Sequence, residues 1–142
     1  MAESHTIQVD IVSAEGEIFS GPAKMVFAAA IEGDLGIAPR HAPLLTLLKA
    51  GEVRVQPVDG PEQSFFVGGG ALEVQPNKVT VLADTAIRAH DVDEAAALAA
   101  KQRAEEALRD RPGNITQAEA LAELSRTVAL LKFAQKMRHP RG

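Results

Sequence analysis

From Ile7 onward, apolar and polar positions alternate with a period of two. Ile7, Val9 and Ile11 alternate with Gln8 and Asp10, the pattern of a half-buried strand. Glu15-Gly16 turns the chain into Glu17-Ile18-Phe19, and Ser20-Gly21-Pro22 punctuates it again. Met25, Phe27, Ala29 and Ile31 mark another strand, apolar on nearly both sides and therefore expected in a central position. Gly33, Gly36, Pro39 and Pro43 predict an exposed loop, after which Leu44 to Leu48 re-enters the core. Val53 and Val55 alternate with polar neighbours, Asp59-Gly60-Pro61 turns, and Gln63 to Val67 extends. Leu72 and Val74, then Val79, Val81 and Ala83, form a hairpin around Pro76-Asn77. Short strands with turns every 8 to 12 residues indicate a β-sandwich or barrel. Gly68-Gly69-Gly70 precedes neither a GK[S/T] sequence nor a helix start. It is therefore expected to be a bulge or tight corner rather than a phosphate cradle.

The period changes at Asp91. Asp91 is placed as an N-cap, with Glu94 three residues on as in a capping box. Ala95, Ala96, Ala97, Ala99, Ala100, Ala104 and Ala107 then give strong helix propensity. Residues 110–114, DRPGN, stop this helix, and Thr116 to Glu119 is a second capping box. Leu121, Leu124, Val128 and Leu131 fall at spacings of 3, 4 and 3, one apolar seam, and His139-Pro140 ends the helix. The expected fold is an N-terminal β-sandwich over residues 1–88 followed by a C-terminal antiparallel two-helix hairpin over residues 89–142. An alanine face buries little area, so the hairpin is expected to dock weakly and to be able to rearrange.

With 142 residues, 46% hydrophobic, the chain has the material for one compact domain with an appendage. It has no Trp and no Tyr, so the core is aliphatic and Phe-based. The absence of Cys excludes disulfides, thiolate catalysis and Cys-ligated metal. A net charge of −4 argues against non-specific nucleic-acid binding. The N-terminus carries no signal-like pattern, and no apolar run approaches the roughly 20 residues that span a bilayer. The charge is uneven: residues 1–90 hold 11 acids and 6 bases, and after Glu123 only Arg126, Lys132, Lys136, Arg138 and Arg141 are charged. Leu130, Phe133 and Met137 interleave with this basic tip, which suits either the helix dipole or an acidic partner surface.

Catalytic chemistry does not assemble. His5, His41, His90 and His139 have no partner at metal-ligand spacing, and no Ser lies in a nucleophile elbow. Glu32 and Asp34 form an acid pair in a loop, read as solvated or as a partner contact, and Asp84 as a turn cap. No nucleophile, base and oxyanion donors converge, so a hydrolase built on Asp84, His41 or His90 has no motif behind it. The residues describe a rigid β platform with a mobile helical arm. A free-standing small-ligand sensor with a helical lid is the alternative reading.

Three motifs carry a resemblance along nearly the whole chain, from about Thr6 to Met137: VDIVSAEGEIFSG (9–21), EGDLGIAPRHAPLLT (32–46) and GGGALEVQPNKVTVLADTAIRAHDVDEA (68–95). With them the chain resembles the epsilon subunit of bacterial F-type ATP synthases. The resemblance implies a non-catalytic rotor subunit at the cytoplasmic face of the bacterial inner membrane. Its sandwich would bind the gamma subunit and rest on the membrane ring of c subunits, with Glu32, Asp34 and His41 in the ring-facing loop. Its hairpin would fold beside the sandwich or extend into the alpha/beta catalytic head and inhibit ATP hydrolysis. Arg126, Lys132 and Lys136 are the implied contacts to the beta subunit. Some members bind ATP at the hairpin through an aliphatic-Asp-x-x-Arg-Ala motif. Here Asp93 matches, Ala96 replaces the Arg, Arg103 and Arg126 match two further basic positions, and Leu130 replaces another Arg. Two missing charged donors make ATP binding weak. No other cofactor, no metal and no nucleic acid is implied.

Overall fold

A computed structural model describes residues 5–110 and 117–138 of the chain. Seven strands come first: β1 (Ile7–Ser13), β2 (Gly16–Ala30), β3 (Gly33–Ile37), β4 (Leu44–Pro57), β5 (Gln63–Gln75), β6 (Lys78–Ala83) and β7 (Ala86–Arg88). A 3₁₀ turn at Ala89–Asp91 leads to helices α1 (Glu94–Asp110) and α2 (Gln117–Arg138). The chain separates into two compact units, one ending at Ala89 and the other starting at His90.

In the first unit the strands run in the order β1-β6-β5-β4-β2-β3, and β1 also pairs with β2, which closes the sheet on itself. β1 is antiparallel to β2 and parallel to β6. The long strands change neighbours along their length. β2 pairs with β1 up to Ala23, and with β4 from Ala23 onward. β5 pairs with β7 at Phe65–Val67 and with β6 from Gly70. Inward positions of both layers, including Ile7, Val9, Ile11, Val26, Ile37, Val53, Val55, Phe65, Leu72, Val74, Val79 and Val81, form one aliphatic core. The Phe19 ring meets Phe65 edge-on at 5.8 Å between centroids.

The glycine run lies where β5 changes neighbour. Gly69 and Gly70 have φ of 111° and 139°, conformations that side chains rarely adopt. The Gly68 N–H donates to Thr85 O and the Asp84 N–H to Gly69 O, both at 2.9 Å. A Cβ on Gly70 would lie 2.1 Å from Leu82 O, so the β5–β6 approach admits only glycine there. The run expected as a bulge or corner between strands thus lies inside β5, at the switch of its neighbour from β7 to β6.

On the outer face, Asp10 ties three strands together. Its Oδ1 accepts from Ser20 Oγ at 2.7 Å and from Gln8 Nε2 at 3.0 Å, and Lys78 Nζ lies 3.1 Å from Oδ2. The Ser20 and Gln8 bonds, with help from the Lys78 charge, hold the Asp10 carboxyl below its usual range.

Several expectations change. Ser20-Gly21-Pro22 does not interrupt the chain but lies inside β2. Pro22 sits beside the changeover from β1 to β4, where the loss of one backbone donor is tolerated. The segment from Gly33, expected as loop, forms strand β3 along the edge of β2, entered through Gly33 at φ 135°. The cap of α1 is Asp93 rather than Asp91: its Oδ1 accepts from Ala95 N at 2.9 Å and Ala96 N at 3.3 Å. Asp91 instead closes the preceding 3₁₀ turn.

In the second unit α1 and α2 pack on each other. The six residues between them are too short to return the chain along a 17-residue helix of about 25 Å, so the pair is antiparallel. Ala97 and Ala104 of α1 and Ala120, Thr127, Leu131 and Ala134 of α2 are buried. At 100° per residue, Ala120, Leu124, Thr127, Leu131 and Ala134 share one face of α2. Leu121, assigned to the seam from its spacing, is 50% exposed. Leu124 and Leu131 keep their places in that seam beside small residues, and Thr127 enters it by donating its hydroxyl to Leu124 O at 3.0 Å. The Thr116 capping box, the 111–114 stop and His139-Pro140 lie outside the described residues.

Candidate docking surfaces

The β2–β3 turn and the first half of β4 build one surface. Glu32 and Asp34 are both exposed and line, with Ala30, Gly33, Leu35, Leu44 and Thr46, a depression of about 130 Å³. The turn is fixed to β4 by the Ile31 N–H, which donates to Leu47 O at 3.0 Å. Large apolar side chains border it: Ile31 is 57% exposed, Leu45 76% and Leu47 58%. Leu47 pairs with Ala71 of β5, which pairs with Leu82 of β6, itself 53% exposed. An apolar row thus crosses three strands on the outside of the sheet. Leu44 to Leu48 is expected in the core from its sequence, whereas only Leu48 is buried there. The run LLTLL hides the outward positions because apolar residues occupy both faces.

His41 lies apart from the acid pair, among neither the residues of the depression nor its apolar border. It is half-buried in the β3–β4 loop, its Nδ1 2.7 Å from Ala42 O.

The second candidate surface is on the hairpin. Lys132 and Lys136 are exposed and one turn apart on α2. Arg126 is exposed but offset from them by about 80–120° around the helix. Its Nη1 lies 2.7 Å from Glu123 Oε2, so the most N-terminal charge of the basic tip is paired within the helix. Leu130 and Met137 are half-buried and Phe133 is buried, which leaves this tip less apolar than its sequence suggests. Arg141 and the side chain of Arg138 lie outside the described residues.

The matched nucleotide positions are spread over both helices. Asp93 is committed to capping α1, a role worth about 1 kcal/mol of helix stability. Arg103 is exposed on α1 and Arg126 is paired with Glu123 on α2. The half-buried Leu130 brings no charge. Among the described residues no group of three or more His, Asp or Glu side chains is placed to hold a metal. Asp84 and His90 are exposed, and His90 Nε2 lies 3.5 Å from Asp91.

Comparison with known proteins assigns this architecture. Residues 6–89 match the beta-sandwich domain of the ATP synthase Delta/Epsilon chain, and residues 90–135 its long alpha-helix domain. An ATP synthase epsilon chain from Nitrosococcus oceani is 62% identical over 137 residues, covering 96% of this chain and 98% of the relative. One from Halorhodospira halophila is 57% identical, covering 94% and 95%. The fold is also similar to a chain of the Euglena gracilis mitochondrial ATP synthase at 16% identity, with a TM-score of 0.78, covering 89% of this chain and 79% of that one. A chain from the central stalk and c-ring of the Tetrahymena thermophila mitochondrial ATP synthase scores 0.61 at 19% identity, covering 92% and 96%. The chain belongs to the ATP synthase epsilon-chain family.

Proposed function

We propose that this chain is a non-catalytic central-stalk subunit of a proton-translocating F-type ATP synthase, held at the cytoplasmic face of the bacterial inner membrane. Residues 1–88 form the coupling domain, which binds gamma and meets the ring of c subunits. Residues 89–142 form the regulatory hairpin, which inhibits ATP hydrolysis when it reaches the alpha/beta head. One observation carries the reading: a closed β-domain that exposes Ile31, Leu45 and Leu47 beside Glu32 and Asp34. Large apolar side chains gathered in one exposed patch, rimmed by polar residues, mark an interaction surface. No helix among the described residues is long and apolar enough to cross a membrane.

In this reading Glu32 and Asp34 face the ring, and His41 sets the shape of the adjoining loop. Lys132 and Lys136 lead the contact with the beta subunit, and Arg126 joins them after leaving Glu123. Co-purification separates this reading from a free-standing sensor with a helical lid. A tagged chain expressed in its host is expected to bring down gamma in stoichiometric amount, and recovery of the chain alone would favour the sensor.

Nucleotide has little to hold on the hairpin. Asp93 serves the helix end, Arg126 is paired, and Ala96 and Leu130 supply no charge. Millimolar ATP is therefore expected to leave proteolysis of the hairpin unchanged. Clear protection would reinstate a site at Asp93, Arg103 and Arg126.

A further inference from the structure

Arg40, between β3 and β4, has φ of 68° and is the one non-glycine with positive φ among the described residues. For a residue with a Cβ this left-handed conformation is unfavourable. The loop enforces it. The Arg40 N–H donates to Pro76 O at 2.7 Å, the His41 N–H to Ala38 O at 3.2 Å, and Pro39 and Pro43 stiffen both flanks. All of these restraints act on the backbone, and glycine would satisfy them without steric cost. The fold gives no reason for a side chain at this position, yet it carries an exposed arginine.

Among the described residues the guanidinium is also idle. Arg54 pairs with Glu62 and stacks on Phe27, Lys78 pairs with Asp10, Arg126 pairs with Glu123, and Arg88 donates to Ile18 O. No described residue pairs with the Arg40 side chain. A strained backbone that presents an unpaired cation from a rigid loop is the arrangement of a contact residue.

We propose that Arg40 is an interface anchor that pairs with a carboxylate on a partner protein. The planar guanidinium matches a carboxylate in bidentate fashion, and a preorganised loop lowers the entropy lost on docking. Exposed Ala42 and Pro43, with Leu45 just beyond, supply apolar surface able to exclude water from such a pair. An anionic bilayer does not fit as the occupant. Residues 1–90 carry 11 acids against 6 bases, so the domain as a whole is repelled by a negative surface, while one arginine can still meet one carboxylate.

The inference rests on the stalk reading only in taking the partner to be a subunit of the assembled enzyme. Its test uses the full-length chain with Arg40→Asn and Arg40→Gly variants, both able to adopt the left-handed conformation without the charge. Each is titrated onto ATP synthase stripped of this chain, and the melting temperature of the free chain is measured alongside. Both variants are expected to bind at least about tenfold more weakly, with a melting temperature unchanged or raised. Equal affinity for wild type and variants would overturn the anchor while leaving the stalk reading intact. A melting temperature lowered by several degrees would also overturn it, because the side chain would then serve the fold. Loss of binding to anionic phosphatidylglycerol vesicles in the variants would assign Arg40 to lipid and overturn the carboxylate. Failure of the wild-type chain to bind the stripped enzyme would remove both readings.

Discussion

Gly70→Ala is expected to unfold the β-domain or to destabilise it by about 4 kcal/mol or more, the range of the severest single substitutions. The added Cβ would fall 2.1 Å from Leu82 O and 2.9 Å from Ala83 Cα, both backbone atoms of the paired strand. Neither can swing aside as the tip of a side chain would, so β5 and β6 must separate. Separation breaks the ladder from Gly70–Ala83 to Gln75–Lys78 and opens the core over Leu72, Val74, Val79 and Val81. Gly16→Ala is the matched control. Gly16 also has a positive φ, 129°, but a Cβ there meets nothing within 4 Å. Backbone strain alone then costs about 1–3 kcal/mol. Denaturant unfolding of the two variants separates collision from strain, and equal stabilities would show that the corner is not sterically locked.

Ending the chain at Ala89 is expected to abolish its inhibition of ATP hydrolysis while preserving its binding to gamma. The cut falls at the boundary between the two compact units and leaves all seven strands in place. The assay is hydrolysis by the soluble catalytic head with gamma, alone, with the full chain and with the truncated chain. Inhibition that the truncation loses places the brake in the hairpin. Unchanged hydrolysis with the full chain would make the subunit a coupling piece and remove the regulatory half of the proposed function. A finer version replaces Arg126, Lys132 and Lys136 together with alanine. Relief of inhibition is expected, with Lys132 and Lys136 sharing one face of α2 and Arg126 offset from them. Persisting inhibition would reduce the basic tip to a solvated helix end.

The sequence was most legible where one face of an element is buried and the other wet. β1 and β6 follow their alternation residue by residue, with Ile7, Val9, Ile11, Val79, Val81 and Ala83 inward. The glycine run, expected as a bulge or corner between strands, lies instead inside β5, where its neighbour changes from β7 to β6. Legibility failed where both faces are apolar or where pairing overrides local signals. LLTLL reads as core although Leu45 and Leu47 point outward. Ser20-Gly21-Pro22 reads as a turn although pairing on both flanks carries β2 straight through it. The capping residue lies two positions beyond Asp91 because the 91–94 segment offers three acids, and Asp93 accepts from the free N–H groups of Ala95 and Ala96. The strain at Arg40 left no mark at all, since arginine is an unlikely residue for a left-handed turn.

The placement of β1 also fixes an order of events in time. It leaves the ribosome first, but one of its two partners is β6, in register Gln8 with Lys78 through Ser13 with Ala83. Closure of the sheet must wait for about 70 further residues, and such distant pairings make folding slow. The hairpin contacts are between successive helices, so that unit needs no such wait. During synthesis the domain that is made first is therefore expected to close late, with β1 held until then on the β2 side alone.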